Sequence, residues 1–337
     1  MRYGIWNNKG GVGKSFLSFT IALEYAHRNP DERVLLVDMC PQANLSEIVL
    51  GGNGDGNARL EKILAKKGGR RTVGGYFDER IKSPHKITGN ETAYSIQAHK
   101  YNKNLPENVY LICGDPSLEL QTQVINQIGS QTLPEDTWKN VHLWLKDLIV
   151  AITGAYSSTE MQVFIDCNPS FSAYTELAVL ASEKLIVPCS CDGSSARAIK
   201  NISALLYGLN DSPYGDKAFS KVCDVYELAL PLIQAVILNR STQYNERASK
   251  AFRAMFDEIK NVTNKFYTDM PSAFPNKGPK FVDVPDSHSV AIVSSHLGLP
   301  LYSLKPKKYD VHGENPQVNP EPLDRYNEAI EKLYNAL

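Results

Sequence analysis

Short apolar runs of strand length are spread along the whole chain. They lie at 3–6, 34–37, 109–113, 162–165, 185–187 and 232–238. Most are apolar throughout instead of alternating with polar residues, which is typical of strands that are buried on both faces of a parallel sheet. Segments with helical spacing of apolar residues lie between several of them, at 16–26, 140–152, 172–182 and 244–259. Strands that alternate with helices predict an α/β fold, a doubly wound and mostly parallel sheet flanked by helices in three layers.

Residues 51–108 depart from this alternation. The segment opens with the glycine-rich stretch 51–56, where we expect flexible turns, and it has few apolar clusters. We predict a surface insertion that is partly helical, around 60–65. Its basic residues either contact an anion or belong to a solvated surface, and both interpretations stay open for Lys66, Lys67, Arg70 and Arg71.

The end of the chain is predicted to form a strap and a helix. Residues 305–322 are rich in proline, which favours an extended segment, and residues 323–337 are amphipathic. The apolar face of this last helix comprises Leu323, Tyr326, Ile330, Leu333 and Leu337. We expect residues 1–337 to form a single domain.

Composition narrows the functional classes. The 337 residues include 36 Lys and Arg against 37 Asp and Glu, which argues against a globally basic nucleic-acid binder and leaves room only for a local basic patch. No apolar run approaches the length of a membrane span, and the first residues do not resemble a signal peptide. The six cysteines show neither a CxxC pair nor zinc-site spacing. We therefore expect a cytoplasmic protein with reduced cysteines.

A glycine-rich loop follows the first predicted strand, with the sequence NNKGGVGKS at 7–15. A helix is predicted directly after it, as in phosphate-binding loops. The backbone N–H groups of four residues would surround phosphate oxygens, and these are Gly10, Gly11, Val12 and Gly13. Lys14 would contact the β- and γ-phosphates, and the Ser15 hydroxyl would bind Mg²⁺. Asn8 stands where the common pattern has its first glycine, and Lys9 is an additional cation.

Polar residues also follow other predicted strands. Asp38, Asp166 and Asn239 each come directly after an apolar run. Because ligands bind at the carboxyl ends of the strands in such sheets, we expect these residues to converge on the loop. Asp166 is the natural second group for the Mg²⁺ shell.

These motifs together resemble those of the ParA/MinD family of partition and positioning ATPases. KGGVGKS at 9–15 resembles the family's deviant Walker A motif, and VLLVDMCPQAN at 34–44 resembles its second motif. FIDCNPS at 164–170, LNR at 238–240 and VPD at 284–286 resemble three later ones. The resemblance covers nearly all of the chain except 51–108 and the strap. It implies a P-loop NTPase fold that binds ATP or ADP with Mg²⁺.

The resemblance also implies roles for individual residues. Lys9 would reach across an ATP-dependent homodimer to the phosphates bound by the other subunit, stabilising charge as an arginine finger does. The implied catalytic positions are Lys9, Lys14, Asp38 and Cys40. The implied metal positions are Ser15, Asp38 and Asp166. The implied nucleotide contacts beyond the loop are Phe16, Asn239, Arg240, Pro285 and Asp286.

Three residues depart from the family pattern. Cys40 stands where the family has a second aspartate that positions the attacking water, and a thiol with a pKa near 8.5 is mostly neutral at pH 7. Hydrolysis is therefore expected to be slow, or to be assisted by another group or by a partner. Phe16 lacks the usual hydroxyl but keeps its backbone N–H for the α-phosphate. Asn168 replaces a proline after Asp166.

The favoured prediction is an ATP-dependent switch that dimerises in the partition or positioning of DNA, a plasmid or another cargo. A ParB-like or other activating partner is implied, and the protein could associate with the nucleoid. Non-specific DNA binding and ordinary solvation remain equal alternatives for Arg247, Lys250, Arg253, Lys305, Lys307 and Lys308. No N-terminal helix-turn-helix is expected, because the chain begins almost at the first strand. No membrane anchor is expected, because the last helix carries mixed charge.

Two further classes stay open. A nucleotide-binding pseudo-ATPase gains support from Cys40. A metabolic or redox ATPase on the same scaffold would need suitably placed cysteines, and Cys189 and Cys191 are the only close pair.

Overall fold

The computed structural model describes most of the chain. The described residues are 1–66, 69–131, 133–156, 159–190, 192, 194–209, 218–241, 243–244, 247–248, 250–286 and 289–337. Within 240–252 the description covers the backbone alone.

An eight-stranded sheet forms the centre of the molecule. Its order is β10-β7-β6-β1-β5-β2-β4-β3, and every neighbouring pair is parallel except the β3–β4 pair at one edge. The strands are β1 (Arg2–Ile5), β2 (Arg33–Met39), β3 (Ile96–Gln97), β4 (Val109–Ile112), β5 (Met161–Cys167), β6 (Lys184–Ser190), β7 (Leu232–Ser241) and β10 (Lys280–Pro285). A separate antiparallel pair consists of β8 (Gln243–Tyr244) and β9 (Arg247–Ala248).

Helices cover both faces of the sheet. They are α1 (Lys14–Arg28), α2 (Asn44–Val49), α3 (Gly52–Leu64), α4 (Val73–Lys82), α5 (Leu118–Gly129), α6 (Thr137–His142), α7 (Trp144–Ala155), α8 (Ala173–Ala181), α9 (Ser195–Tyr207), α10 (Phe219–Val225), α11 (Lys250–Asp269), α12 (Ser289–Leu297) and α13 (Pro320–Tyr334). The predicted doubly wound α/β architecture is confirmed.

The core is divided by the sheet into two layers of buried side chains. Along β2, Leu35 and Val37 join one layer, whereas Val34 and Leu36 join the other. A strand covered on both faces must be apolar at every position, which is why these runs show no alternation. The same rule made the six central strands predictable.

Two predicted helices differ from the structure. The segment predicted as one helix at 140–152 is two helices, α6 and α7, which are divided at Leu143. The predicted helix at 244–259 is wrong at its start, because 243–244 and 247–248 are strands, and α11 begins at Lys250 and continues to Asp269. Apolar spacing continues across both boundaries, so the pattern alone did not mark them.

The glycine-rich stretch 51–56 is not a flexible turn. Helix α3 begins at Gly52, and its glycines permit close packing, because a Cβ on Gly56 would lie 2.0 Å from the Glu47 carbonyl oxygen. The segment 51–108 also contains α4, from which Val73, Tyr76 and Phe77 are fully buried in one core layer.

The predicted C-terminal helix is present and begins earlier than expected. Helix α13 starts at Pro320, inside the predicted strap, since proline is favoured in the first turn of a helix. Its apolar face is buried in the second core layer through Leu323, Tyr326, Ile330 and Leu333. In the part of the chain that the structure describes, no helix is long and apolar enough to cross a membrane.

Candidate nucleotide-binding site

The glycine-rich loop connects the end of β1 to the start of α1. Gly11 and Gly13 adopt positive φ angles of 75° and 82°, which only glycine reaches without strain. Added Cβ atoms on Gly10 or Gly11 would meet nothing within 4 Å, so the outer side of the loop is open. Backbone N–H groups at the start of α1 can therefore be approached by an anion, as the predicted phosphate cradle requires.

Lys14 lies inside the loop and is buried. Its Nζ donates hydrogen bonds to the carbonyl oxygens of Lys9 and Asn7, at 3.0 and 3.3 Å. Desolvation lowers the pKa of Lys14, and the nearby Asp166 carboxyl partly opposes that shift. The ammonium thus stands under the loop as a preorganised cation.

Asp38 and Asp166 lie side by side at the carboxyl ends of β2 and β5. The two residues are direct partners in the strand register, and both are buried. Asp38 Oδ2 accepts hydrogen bonds from the Ser46 N–H and hydroxyl, at 2.8 and 2.7 Å, and Oδ1 accepts one from the Cys40 N–H at 3.0 Å. Burial raises the pKa of Asp38 to about 6, although the Ser46 and Cys40 hydrogen bonds lower it. Asp38 is held rigidly by its own strand end and by α2.

Asp166 is less well satisfied than Asp38. Its Oδ1 accepts a 3.3 Å hydrogen bond from Ser18, whereas its buried Oδ2 has no hydrogen-bond partner among the described residues. Burial, followed by the proximity of Asp38, raises the pKa of Asp166 to about 7, while Ser15 lowers it. A buried carboxylate oxygen without a partner, next to a serine hydroxyl, matches the hard oxygen ligands that Mg²⁺ requires. These residues fit the predicted metal.

Cys40 faces this carboxylate pair. The Asn168 amide donates to its Sγ at 3.6 Å, and burial followed by the Asp38 charge raises the pKa of the thiol to about 11. Asn168 is itself fixed, because its carbonyl oxygen accepts a 3.0 Å hydrogen bond from Trp6 Nε1. At neutral pH Cys40 is a protonated thiol and cannot accept a proton from water.

Lys9 points away from the inside of its own loop. Its Nζ donates to Ser190 Oγ at 2.8 Å and forms an ion pair with Asp192, just beyond the end of β6. Its backbone N–H donates to Asn7 Oδ1 at 2.9 Å. The two lysines of the motif therefore occupy different environments, one buried below the loop and one on its rim.

The residues predicted to contact the base or the α-phosphate lie near the loop but make other contacts. Asn239 is buried, and its amide donates to the Val12 carbonyl oxygen at 2.8 Å, so it braces the loop. The ring of Phe16 stacks on Tyr326 of α13 with centroids 6.0 Å apart. Pro285 ends β10 opposite Ser241, and Asp286 follows it. The side chain of Arg240 lies outside the described residues.

Comparison with known proteins identifies the family. A family model described as an AAA domain matches residues 3–212. This chain belongs to that family. Solved structures that share the fold include McdA, ParA and plasmid partition proteins, and this shared fold agrees with the predicted resemblance to the ParA/MinD family.

Three of the similar solved structures align over almost the full length of this AAA-domain chain. Apo McdA from Cyanothece is 16% identical, with a TM-score of 0.61 and 98% of each chain covered. An ATP complex of a McdA variant from Cyanothece is 16% identical, with a TM-score of 0.60, covering 99% of this chain and 96% of that one. A Borrelia burgdorferi plasmid partition protein bound to AMPPNP is 15% identical, with a TM-score of 0.55, covering 99% and 98%. No curated protein shows significant similarity to the chain.

Three residues of the AAA-domain site had no signal in the sequence. Ser46 holds Asp38 from α2, Ser18 holds Asp166 from α1, and Asp192 pairs with Lys9. Single serines in helices and a single aspartate after a strand are common, so only the fold reveals their partners.

The five cysteines that the structure describes are free thiols, and four of them are buried. Cys189 is buried at the end of β6 and receives a 3.7 Å contact from the Asn7 amide, and Cys191 lies outside the described residues. Within the described ranges, no group of three or more His, Cys, Asp or Glu residues could hold a metal ion.

Proposed function

We propose that this chain is a ParA-like ATPase that works as an ATP-dependent dimerising switch in the partition or positioning of DNA, a plasmid or another cargo. Hydrolysis to ADP would be slow, and the closed dimer would be the state that a partner protein recognises. The membership of an ATPase family supports this proposal, and so does the arrangement of the two loop lysines.

The single observation that carries the proposal is the position of Lys9. Lys14 already supplies a buried ammonium beneath the loop, so a nucleotide bound in cis has its cation. Lys9 is directed outward to Ser190 and Asp192, on the rim of the site. A cation on the rim is suited to phosphates that a second subunit presents, where it would stabilise developing negative charge.

The carboxylate pair supports slow hydrolysis. An attacking water needs a group that orients it and accepts its proton, and such a group contributes roughly 10²–10⁴-fold. Asp38 already accepts three hydrogen bonds from Ser46 and Cys40, which occupy both of its oxygens. The Cys40 thiol, with a pKa raised to about 11, remains protonated. The site would thus hold ATP and the attacking water in position, but Asp38 and Cys40 would be poor general bases.

Magnesium is proposed as the metal of this site, held by Ser15 and Asp166 with Asp38 nearby. When bound, Mg²⁺ neutralises phosphate charge. The Oδ2 of Asp166 supports this assignment, because a bound metal would satisfy a buried oxygen that has no donor among the residues the structure describes.

A nucleotide-binding pseudo-ATPase is the second candidate, and Cys40 favours it. The same cradle would then bind ATP and close the dimer, and the switch would reset by nucleotide exchange. The two candidates share every contact of the loop and differ only in whether ATP is turned over.

The proposal also covers the class of partner protein, the location and the surface that would contact DNA. McdA, ParA and plasmid partition proteins share the fold, which supports a ParB-like or other activating partner and a location in the cytoplasm, including the nucleoid. Arg253 of α11 and the strap lysines Lys305, Lys307 and Lys308 are exposed and would supply contacts to DNA. The side chains of Arg247 and Lys250 lie outside the described residues.

Light scattering coupled to size exclusion tests the switch. With Mg²⁺ and ATP the wild type is expected at twice the 37.4 kDa chain mass, and with ADP at the monomer mass. Lys9→Ala is expected to weaken the ATP-bound dimer about tenfold or more, the roughly 1.4 kcal/mol of one charge-assisted contact.

A matched variant separates this effect from a general loss of charge. Lys103→Ala removes an exposed lysine from the segment before β4 and should leave the dimer unchanged. A wild type that stays monomeric with both nucleotides would contradict the switch. An ATP-bound dimer of Lys9→Ala as tight as that of the wild type would contradict the role of Lys9.

A further inference from the structure

A cavity of about 530 Å³ lies within the segment 69–94, away from the nucleotide loop. Its walls come from α4, from the residues before it and from the loop that follows it. Arg70, Arg71, Lys82 and Lys86 line it, and Glu79 is the one acidic residue among the described residues of the lining. A concave wall with cations on three segments focuses positive potential into the space it encloses.

Two of the four cations are neutralised inside the protein. Arg70 is ion-paired with Asp78 and, through Nε at 2.9 Å, with the buried Asp115. Lys82 is ion-paired with Glu79 at 2.8 Å. The carboxylates of these partners neutralise Arg70 and Lys82, so these two residues offer no unbalanced positive charge to a ligand.

The other two cations are not neutralised. Among the described residues, the side chains of Arg71 and Lys86 have no hydrogen-bonded or ion-paired partner, and both residues are exposed at the cavity. Both positive charges line one cavity, so an anion bound in it would be attracted by both. The cavity is therefore set up for a ligand with at least two negative charges.

The chemistry of the lining favours phosphate. Arginine and lysine together are typical of phosphate sites, where the guanidinium binds two oxygens and the ammonium acts as a point charge. Gly69 has no side chain to block a ligand, and the space that a Cβ would occupy is open, with no atom within 4 Å. The volume falls in the range of small-molecule sites, roughly 300–1,000 Å³. A DNA duplex, by contrast, is contacted through rows of cations on open surfaces.

The cavity is connected to the nucleotide site by consecutive contacts. Asp115, which holds Arg70, adjoins Gly114, and the Gly114 N–H donates to Ser46 Oγ at 2.9 Å. That hydroxyl donates in turn to Asp38 at 2.7 Å. A ligand bound by Arg71 would disturb the adjacent Arg70 and its ion pair with Asp115, and through Gly114 and Ser46 it would change the support of Asp38.

We propose that this cavity binds a small phosphorylated molecule and that its occupancy alters ATP turnover. The binding is independent of the function proposed above, whereas the effect on turnover rests on it. The two parts are therefore measured separately.

Binding is tested by calorimetry with pyrophosphate as the probe. The full chain carries Lys14→Ala, so that the nucleotide loop does not take up the probe, and one remaining site is expected. Arg71→Gln with Lys86→Gln is expected to weaken pyrophosphate binding at least tenfold. Lys62→Gln with Lys103→Gln removes the same charge from exposed positions outside the cavity and should bind as before.

Several results would overturn the binding site. These are no heat with pyrophosphate, equal binding by the cavity variant, or an equal loss in both double variants. Competition is measured with a duplex of about 20 base pairs and with a short polyglutamate peptide, each at matched charge. If either displaces pyrophosphate, the ligand is DNA or an acidic peptide, and the small-molecule assignment is wrong. If Lys14→Ala does not fold, as judged by circular dichroism, the same titrations use the wild-type chain saturated with MgADP.

Turnover is measured at saturating ATP and constant free Mg²⁺, where pyrophosphate no longer competes at the loop. Pyrophosphate is expected to change the rate of the wild type at least twofold and to leave the rate of Arg71→Gln with Lys86→Gln unchanged. Equal responses in both proteins would overturn the connection to Asp38. If pyrophosphate binds in the cavity but no ATP is hydrolysed, the proposed ATPase function is contradicted and the proposed binding site is still supported.

Discussion

At the scale of single residues, the two strand-end carboxylates differ in how the protein satisfies them. Asp38 accepts three hydrogen bonds, whereas the Oδ2 of Asp166 has no partner among the described residues. Burial raises the pKa of both carboxyls, to about 6 and about 7. A group that is protonated in the folded protein and ionised in the unfolded chain makes stability depend on pH.

Asp166→Asn is expected to stabilise the nucleotide-free protein near pH 8. Both carboxyls keep their protons in the folded state up to about pH 6 or 7, whereas in the unfolded chain they ionise near pH 4. Their stabilising contribution is therefore complete below about pH 4 and is lost as the pH rises through about 6 to 7. Removing the Asp166 charge should raise the free energy of unfolding by about 1–3 kcal/mol at pH 8, as measured by urea denaturation in EDTA.

The control for this prediction is Asp38→Asn. An amide at position 38 would place an NH₂ donor against the donors of Ser46 and Cys40, so it should destabilise the fold by about 1–3 kcal/mol. The difference in stability between pH 5 and pH 8 should shrink in Asp166→Asn. An unchanged pH profile would show that Asp166 is ionised in the folded protein throughout this range.

Cys40→Asp is expected to raise ATP turnover about tenfold or more. The thiol, with its pKa raised to about 11, cannot accept a proton at neutral pH, and a carboxylate at this position could. Single-turnover hydrolysis under saturating Mg²⁺ measures the effect directly. Cys40→Asn has the same shape without the charge and should stay at or below the wild-type rate. A wild-type rate equal to that of Cys40→Asp would remove Cys40 as the limit on hydrolysis.

At the scale of elements, the contact between α2 and α3 depends on one glycine. A Cβ on Gly56 would lie 2.0 Å from the Glu47 carbonyl oxygen, and backbone cannot give way as a flexible side chain can. Gly56→Ala should destabilise the protein by about 1–3 kcal/mol, as in other overpacked contacts. Thermal or urea denaturation measures the loss.

The matched control lies two residues away on the same helix. A Cβ on Gly54 would meet nothing within 4 Å, so Gly54→Ala removes only glycine's poor helix propensity and should stabilise by about 0.5–1 kcal/mol. Equal effects of the two alanines would mean that α3 does not pack on α2 as described.

Helix α3 also shows what could not be predicted from sequence patterns. The central strands were predictable because burial on both faces demands an apolar residue at every position, and Asp38, Asp166 and the loop were predictable from their place at strand ends. Glycines at 51–56 have the same composition as a turn, although here they serve close packing. Asp192 pairs with Lys9, 183 residues away, and Ser46 connects Asp38 to Gly114, 68 residues away, so no local pattern records these contacts.

At the scale of the whole molecule, the charge is nearly balanced, with 36 basic against 37 acidic residues. Such a chain has little long-range attraction for DNA, so any binding must come from local clusters. Lys305, Lys307 and Lys308 form one exposed cluster in the strap, and Lys307 lies over the Tyr309 ring at 4.8 Å. A dimer would carry two such clusters, one from each subunit.

We therefore expect DNA binding only with ATP and at low salt. Each phosphate contact contributes a slope of about −0.9 to the dependence of log affinity on log salt, so Lys305→Gln, Lys307→Gln and Lys308→Gln together should flatten the slope of a dimer by several units. Lys62→Gln, Lys66→Gln and Lys103→Gln remove the same charge from exposed positions elsewhere and should change the slope much less. Fluorescence anisotropy with a labelled duplex across a salt series measures both. Equal slopes for the two triple variants would place the DNA surface outside the strap, and no binding with ATP at low salt would leave a cargo other than DNA.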